Sequence, residues 1–429
     1  MEKFCAMLQE FFKTKTKNGS AHARHYLAGL LSRTQRKNME RFSEGIPEAD
    51  YQGLQQFLSD SPWAFAPLWS WTRREAARLL GEKGRPHLLI DESAFAKKGD
   101  KSAGVARQYN GRLGKVDNSQ VGVFAALARD QRAVLTGARL YLPKDWVNDP
   151  KRCRAAGIPK EQQIFRTKAE LAWELIEETI RDGIEFATVG IDAGYGRDQA
   201  FLLKISGAGK IFVADVDHDQ LVWLHEPVGH RRPASLAEAG AEPVDGLRKV
   251  GPVHLHTLRI AENGPVQVKF SAQRVWIWPT TGQLPMEVWL LISRRSDGSV
   301  KYSLCNAGEE MGWAELANLQ GQRYFIERAF EDGKSELGLG DYQVRKWLGW
   351  QHHMALVGAA MVFALKERCR HAAESPLLSV RDVVEMVAWY FTKEPTTEEL
   401  TASIRDRHRR RKQAMESKLR RHVSRHYVS

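Results

Sequence analysis

Ionisable residues recur at helical spacing between positions 323 and 334 of the chain. On a helix, residues three or four apart lie on one face, as do Arg323, Glu327, Glu331 and Lys334. An apolar stripe beside them would hold the helix against a core, and it consists of Ile326, Phe330 and Leu337. A solvated face of ion pairs has the same pattern, because charged residues are mostly exposed. Acids elsewhere in the chain must therefore decide between the two interpretations.

Two aspartates follow short apolar segments that have the composition of buried strands. Residues 86–90 precede Asp91, and residues 186–191 precede Asp192. A single aspartate at the end of a strand is common, since Asp favours turns. Two such acids, on strands that a fold would bring together, point instead to a shared site.

The order of the predicted elements indicates which strands are neighbours. Three strands between residues 86 and 141 precede an amphipathic helix at about 165–180, and a fourth strand follows at 186–191. This is the order of the ribonuclease H-like fold, in which the first and fourth strands are adjacent. We therefore predict an α/β protein in which Asp91 and Asp192 lie side by side.

Three carboxylates that converge from two strands and a helix would form a site for hard divalent cations. Oxygen ligands suit Mg²⁺ or Mn²⁺, and two such ions promote in-line phosphoryl transfer. The helical acid is either Glu327 or Glu331, because periodicity alone places them equally. On the same face, Lys334 would hold a DNA phosphate, and Arg323 would do the same or orient the glutamate.

Composition favours a nucleic-acid-binding protein. The 429 residues carry a net charge of +12, as is typical of proteins that bind polyanions, although a basic cytosolic enzyme is the alternative. The four cysteines are far apart and form no CxxC, which disfavours a zinc site and indicates a reducing cytoplasm. The N-terminus lacks a signal-peptide pattern. The longest apolar run, residues 354–365, is too short to span a bilayer, so we expect no membrane partner.

Changes in composition and in the period of the apolar residues along the chain predict five segments. They are an N-terminal helical DNA-binding domain at 1–84, the first part of a ribonuclease H-like core at 85–220, a β-rich insertion domain at 221–307, the second part of the core with the glutamate helix at 308–370, and a basic helical C-terminal region at 371–429. Period-two alternation and the turns Asn263-Gly264 and Asp297-Gly298 indicate the insertion. For the first segment, a helical packing domain with solvated charges is the alternative.

The end of the chain concentrates positive charge. Residues 405–425 include ten lysines and arginines and two acidic residues, so they contribute +8 of the total charge of +12. Such a tail would follow a phosphate backbone with strongly salt-dependent affinity. A solvated tail without that role is the alternative.

Several stretches of the sequence resemble one family. They are ARHYLAGLLSRTQRKN near the start, LLIDESAFAKKGDKSAGVARQYNGRLGKVDNSQVGVF around the first aspartate, VGIDAGYGRD around the second, and IERAFEDGKSELGLGDYQVRKWLGW around the glutamates. The chain resembles, over nearly its whole length, the DDE transposases of bacterial insertion sequences. The resemblance is to the cut-and-paste group with a tyrosine-arginine-glutamate-lysine helix motif and a β-stranded insertion domain.

The helix motif of that family matches this sequence at three of its four positions. Its arginine lies four residues before the glutamate and its lysine seven after, as do Arg323 and Lys334 relative to Glu327. The resemblance thus favours Glu327 over Glu331. The motif's tyrosine falls on Gln320, which departs from the pattern.

The resemblance implies a DNA transposase. Asp91, Asp192 and Glu327 would be catalytic and would bind two Mg²⁺ or Mn²⁺ ions. The enzyme would recognise terminal inverted repeats of double-stranded DNA, cleave the element ends and transfer them to target DNA, usually as a homodimer. It would act in the cytoplasm, at the bacterial nucleoid.

Related enzymes form a hairpin on the transposon end, which the insertion domain helps to hold. A tryptophan there would stack on a flipped base, and the candidates are Trp276, Trp278 and Trp289. Packing in the core is the alternative for each of them.

Two other functions compete with an active transposase: a transposase-derived DNA-binding protein, and a structure-selective nuclease that does not transpose.

Overall fold

The structure is a computed structural model. It describes residues 1–391 except 112, 229–234, 238–239, 248–251, 262–263 and 279–283, and beyond 391 only isolated positions between 397 and 416. Most of the basic run at 405–425 therefore lies outside the described residues, and its predicted role stays a prediction.

Twelve strands occur in the described part of the chain. They are β1 His87–Ala96, β2 Ala106–Asn110, β3 Lys115–Arg129, β4 Arg132–Leu140, β5 Thr188–Ile191, β6 Ile211–Val216, β7 Leu221–Val222, β8 Glu242–Pro243, β9 His254–Ala261, β10 Gly264–Ile277, β11 Met286–Arg294 and β12 Val300–Cys305. Ten of them form one mixed sheet in the order β2-β3-β1-β5-β6-β12-β11-β10-β9, with β4 paired to β3, while β7 and β8 pair separately.

The helices fall into three groups along the chain. Before the sheet come α1 Glu2–Leu8, α2 Ser20–Leu30, α3 Met39–Gly45, α4 Tyr51–Ser59 and α5 Phe65–Leu80. Between strands lie α6 Lys144–Val147, α7 Pro150–Ala155, α8 Lys168–Arg181, α9 Ala193–Gly196 and α10 Gln199–Gly207. After the sheet come α11 Trp313–Gln322, α12 Tyr324–Glu336, α13 Trp347–Arg370 and α14 Val380–Phe391.

The predicted α/β class is confirmed, and so is the expected pair of neighbouring strands. β1 lies parallel to β5, with Leu88 opposite Val189 and Leu89 opposite Gly190. Asp91 and Asp192 each lie two residues beyond the second of these pairs. The same register therefore carries both acids to one end of the shared strand pair.

Asp91 does not end its strand, contrary to the sequence interpretation. β1 continues to Ala96 because its pairing with the long β3 does not stop at the acid: Asp91 lies opposite Phe124 and Ala96 opposite Ser119. The carboxyl group thus stands on a strand whose backbone is fixed on both sides of it.

Of the described strands in the β-rich segment at 221–307, β9–β12 belong to the main sheet, and the short β7 and β8 pair with each other. Its last strand, β12, pairs antiparallel with β6, so that Ser303 lies opposite Asp215. The hairpin predicted at Asp297-Gly298 joins β11 to β12, and Gly298 has the positive φ of 83° that such a turn requires. At the other hairpin, β9 and β10 pair as predicted, but Asn263 lies outside the described residues.

The N-terminal helices share one hydrophobic core with the sheet and the last helices. A single cluster of buried residues includes Phe4, Trp69, Phe124, Met354 and Val387. The division of the chain into five domains stays a prediction, but residues 1–84 pack as part of a larger body.

Helix α13 is the buried centre of this core. Within the described chain it is the one helix long and apolar enough to cross a membrane, yet 94% of its most apolar window is buried inside the protein. Its adjacent histidines have separate partners: His352 contacts the backbone carbonyls of Leu58 and Trp63, and His353 Nδ1 lies 2.7 Å from the Tyr26 hydroxyl. Both therefore join α13 to the N-terminal helices.

The buried His353 makes stability depend on pH. Burial lowers its pKa to about 3, whereas an unfolded histidine titrates near 6.5. Above pH 6.5 neither state is protonated; below it only the unfolded state gains a proton, so stability falls by about 1.4 kcal/mol per pH unit. We predict that between pH 7 and 5 the free energy of unfolding, from urea titration, drops about 2 kcal/mol less in His353→Asn than in the wild type. An equal drop in the two proteins would contradict this contribution of His353.

Candidate active site

Helix α12 presents one apolar face and one charged face, as the spacing predicted. Ile326 and Leu337 are fully buried and Phe330 nearly so, which fixes the helix against the sheet. Arg323 lies at the junction between α11 and α12. The buried apolar face therefore fixes the position of the helix, and with it the positions of Arg323 and Glu327 near its N-terminus.

Arg323 lies among three carboxylates from three different elements. Its guanidinium donates to Asp91 Oδ2 at 3.3 Å and to Glu327 Oε1 at 2.5 Å. Its Nε lies 2.5 Å from Asp215 Oδ2, a charge contact in which the N–H does not point at the oxygen. The arginine therefore links β1, β6 and α12 at one point.

The surroundings of Asp91 disfavour its ionised form. Burial and the neighbouring charge of Asp192 raise its pKa to about 7, against the opposing effect of Arg323. Its Oδ1 accepts the backbone N–H of Glu92 at 2.7 Å. A carboxyl group whose ionised form is disfavoured in this way gains from an additional cation nearby.

Asp192 follows β5 directly and caps the short helix α9, with Oδ1 accepting the Tyr195 backbone N–H at 3.2 Å. The turn then packs tightly on β6, because a Cβ at Gly196 would lie 2.0 Å from the Asp215 carbonyl oxygen. Glycine at position 196 thus lets the turn that carries Asp192 approach the strand that carries Asp215.

The two helical glutamates have different partners. Glu327 pairs with Arg323, while Glu331 pairs with Arg328 at 3.0 Å. Only the first of these pairs connects to Asp91. Lys334 is half-buried, and its ammonium lies 5.6 Å from the centre of the Phe330 ring.

Asp215 was not among the residues that the sequence indicated for the site. Only 8% of it is exposed, and besides Arg323 it contacts Ser303 Oγ at 2.7 Å and Lys301 Nζ at 3.0 Å. A signal was present, since Asp215 is a third acid at the end of an apolar strand. Its partners on β12 lie more than eighty residues away in sequence, and no local pattern reports that pairing.

The donor set suits divalent cations in its chemistry, although the carboxylates converge on an arginine. In the described part of the chain, no group of three or more His, Cys, Asp or Glu side chains is arranged to hold a metal ion. The charges of four carboxyl groups stabilise the protonated guanidinium of Arg323: those of Asp215, Glu327, Asp91 and Asp192. Four carboxyl groups surround two basic side chains, Arg323 and Lys301, and such an excess of acidic oxygen donors suits divalent cations.

The three candidate tryptophans have distinct surroundings. Trp278 is buried beside Trp223, which matches the core alternative. Trp276 is half-buried and pairs through its backbone with Trp223. Trp289 is half-buried and donates its Nε1–H to the Gly308 carbonyl at 3.2 Å.

Comparison with known proteins identifies the class. Residues 7–274 match the family model described as DDE superfamily endonuclease, which spans more than half of the chain and includes both aspartates. The chain therefore belongs to the DDE superfamily of endonucleases, enzymes that act on DNA and generally use divalent metal ions.

A curated relative narrows the class to transposases. The chain is 30% identical, over 323 residues, to the probable transposase for insertion sequence element IS701 of Microchaete diplosiphon, covering 74% of each chain. Within its superfamily it is thus a DDE transposase of the insertion-sequence type. Among solved structures, the NurA nuclease from Sulfolobus solfataricus is 11% identical, with 62% of this chain and 86% of that chain covered, at a TM-score of 0.28, too low to indicate a shared fold.

The close approach at Gly196 yields a prediction. In Gly196→Ala the new methyl group would collide with the β6 backbone, and relief of that clash should lower the free energy of unfolding by about 1–3 kcal/mol and displace Asp192. Gly207, at the end of α10, meets nothing within 4 Å of an added Cβ, so Gly207→Ala is the matched control. Urea unfolding of both variants measures the difference; equal stability of the two would contradict the tight packing.

Proposed function

We propose that this transposase binds the terminal inverted repeats of an insertion sequence, cleaves the element ends and joins them to target DNA. Asp91, Asp192 and Glu327 would form the catalytic set. The observation that carries this assignment is the Arg323 guanidinium, which contacts Asp91 and Glu327 together, while the charge of Asp192 acts on both Asp91 and Arg323.

The strand order supports a ribonuclease H-like core. In the order β4-β3-β1-β5-β6, three antiparallel strands are followed by two parallel ones, and β1 lies beside β5, as the expected neighbouring strands of that fold require. Asp91 would then lie on the first strand of that core, which is β1. Asp192 would follow its fourth strand, which is β5, and Glu327 would lie on α12, after the β9–β12 segment.

The three carboxylates would hold two Mg²⁺ or Mn²⁺ ions. When bound, such ions activate the attacking oxygen and stabilise the leaving one in an in-line phosphoryl displacement. The rigid strands β1 and β5 fix the two aspartates, and the buried stripe of α12 fixes Glu327. Arg323 holds the glutamate and the first aspartate in one orientation, and Lys334 would contact a phosphate of the DNA near them.

The charge of the chain supports an extensive DNA interface. The net charge of +12 suits contact with both element ends and target DNA, with affinity that falls as salt rises. We propose a homodimer on the DNA, acting in the cytoplasm, with the N-terminal helices and the basic C-terminal region as DNA-binding segments and residues 221–307 as the insertion domain. Trp276 and Trp289, which are not fully buried, are the better candidates for stacking on a flipped base.

The catalytic set can be tested with isosteric variants. Asp91→Asn, Asp192→Asn and Glu327→Gln each remove one charged ligand, so we expect cleavage of DNA carrying the element's own ends to fall at least about a thousandfold in Mg²⁺ or Mn²⁺. Glu331→Gln is the control and should cut normally, because that glutamate pairs with Arg328. A dead Glu331→Gln beside an active Glu327→Gln would reverse the assignment. If the wild type binds the ends and never cuts, the chain is a DNA-binding derivative.

The role of Lys334 has a separate signature. Replacing a lysine that neutralises one phosphate should weaken binding of DNA of any sequence and lower the slope of log K against log salt by about one. We expect this for Lys334→Met in fluorescence-anisotropy titrations at several salt concentrations. The control is Lys83→Met, because Lys83 is exposed and lies before the start of β1, away from the carboxylates. The same change of slope in both variants would contradict a specific phosphate contact by Lys334.

A further inference from the structure

Asp215 is the anchor point of Arg323 that does not belong to the proposed catalytic set. The guanidinium contacts Asp91 and Glu327 through its two terminal nitrogens and Asp215 through Nε. A cation that binds the two catalytic acids would compete with the first two contacts, because the guanidinium occupies one oxygen of each carboxylate. The contact with Asp215 involves no catalytic acid and can persist.

Asp215 is itself held firmly in place. Its backbone lies opposite Ser303 in the β6–β12 pair, and the Ser303 hydroxyl donates to its Oδ1 at 2.7 Å. Lys301, two residues before Ser303, lies 3.0 Å from Oδ2. Gln320 in turn donates to Ser303 Oγ at 3.0 Å. The carboxylate therefore cannot readily follow Arg323 if the arginine moves.

Without this anchor the arginine would have only the catalytic acids as charged partners. A guanidinium has a fixed positive charge and forms strong hydrogen bonds to carboxylates. Arg323 would then remain bound to Asp91 and Glu327 and would compete directly with a divalent cation for their oxygens.

We propose that Asp215 is a positioning residue that retains Arg323 at the edge of the site, so that the catalytic acids can exchange the guanidinium for divalent cations. This inference rests on the proposed metal-binding role of Asp91, Asp192 and Glu327. It assigns to the β12 strand the task of holding Asp215, and thereby links the β9–β12 segment to the catalytic centre.

The test is a double-mutant cycle on Mn²⁺ binding by the full-length protein, followed by the electron paramagnetic resonance signal of free Mn²⁺. We expect Asp215→Asn to raise the dissociation constant for Mn²⁺ about tenfold when Arg323 is present. In an Arg323→Gln background the same substitution should change it only about twofold, because the competing cation is gone.

Two controls separate positioning from the loss of a charge. Asp217→Asn removes a carboxylate two residues away, which pairs with the exposed Arg197, and should have little effect. Ser303→Ala leaves all charges unchanged but removes the donor that orients Asp215. It should weaken Mn²⁺ binding in the Arg323 background alone, and it serves as the readout if Asp215→Asn does not fold.

The outcomes distinguish this inference from the proposed function. Equal effects of Asp215→Asn with and without Arg323 would mean that Asp215 acts only through its charge, which overturns the positioning role and leaves the metal site intact. Wild-type protein that binds no Mn²⁺ would overturn the proposed metal site and the positioning role together.

Discussion

The concentration of negative charge just beyond the paired residues of β1 and β5 is the constraint on which the site depends. Like charges in a poorly solvated place repel, and each unit of pKa shift corresponds to about 1.4 kcal/mol. Burial and, after it, the repulsion from Asp192 raise the pKa of Asp91. Arg323 offsets part of it, and the remaining excess is what makes the cluster suited to divalent cations.

The sheet makes this concentration of charge possible. Parallel pairing of β1 with β5 sets the two aspartates in register, and the pairing of β6 with β12 brings Ser303 opposite Asp215. Strands buried in a core cannot retreat from one another as loops can, because their hydrogen bonds and packing fix their spacing. The repulsion therefore cannot be relieved by moving the backbone; it is reduced by a cationic partner or by protonation of a carboxyl group.

Much of this arrangement could be predicted from the sequence, and the remainder depends on long-range pairing. The period of the apolar residues indicated the central strands and the α12 stripe, and the order of these elements indicated that Asp91 and Asp192 lie side by side. The extension of β1 beyond Asp91 was missed, since its length is set by β3 and not by its own residues. Asp215 was missed as a site residue because its partner strand β12 lies in a segment that the sequence suggested was a separate domain.

The glutamine at position 320, where the resembled helix motif has a tyrosine, has a structural reason in this chain. Gln320 is buried, and its Nε2 donates both to the Leu291 carbonyl at 3.1 Å and to Ser303 Oγ at 3.0 Å. A phenol has a single O–H donor and cannot satisfy both acceptors. The serine hydroxyl that accepts from the amide donates onward to Asp215. The identity of residue 320 is therefore tied to the serine at 303, and only through it to the charged cluster.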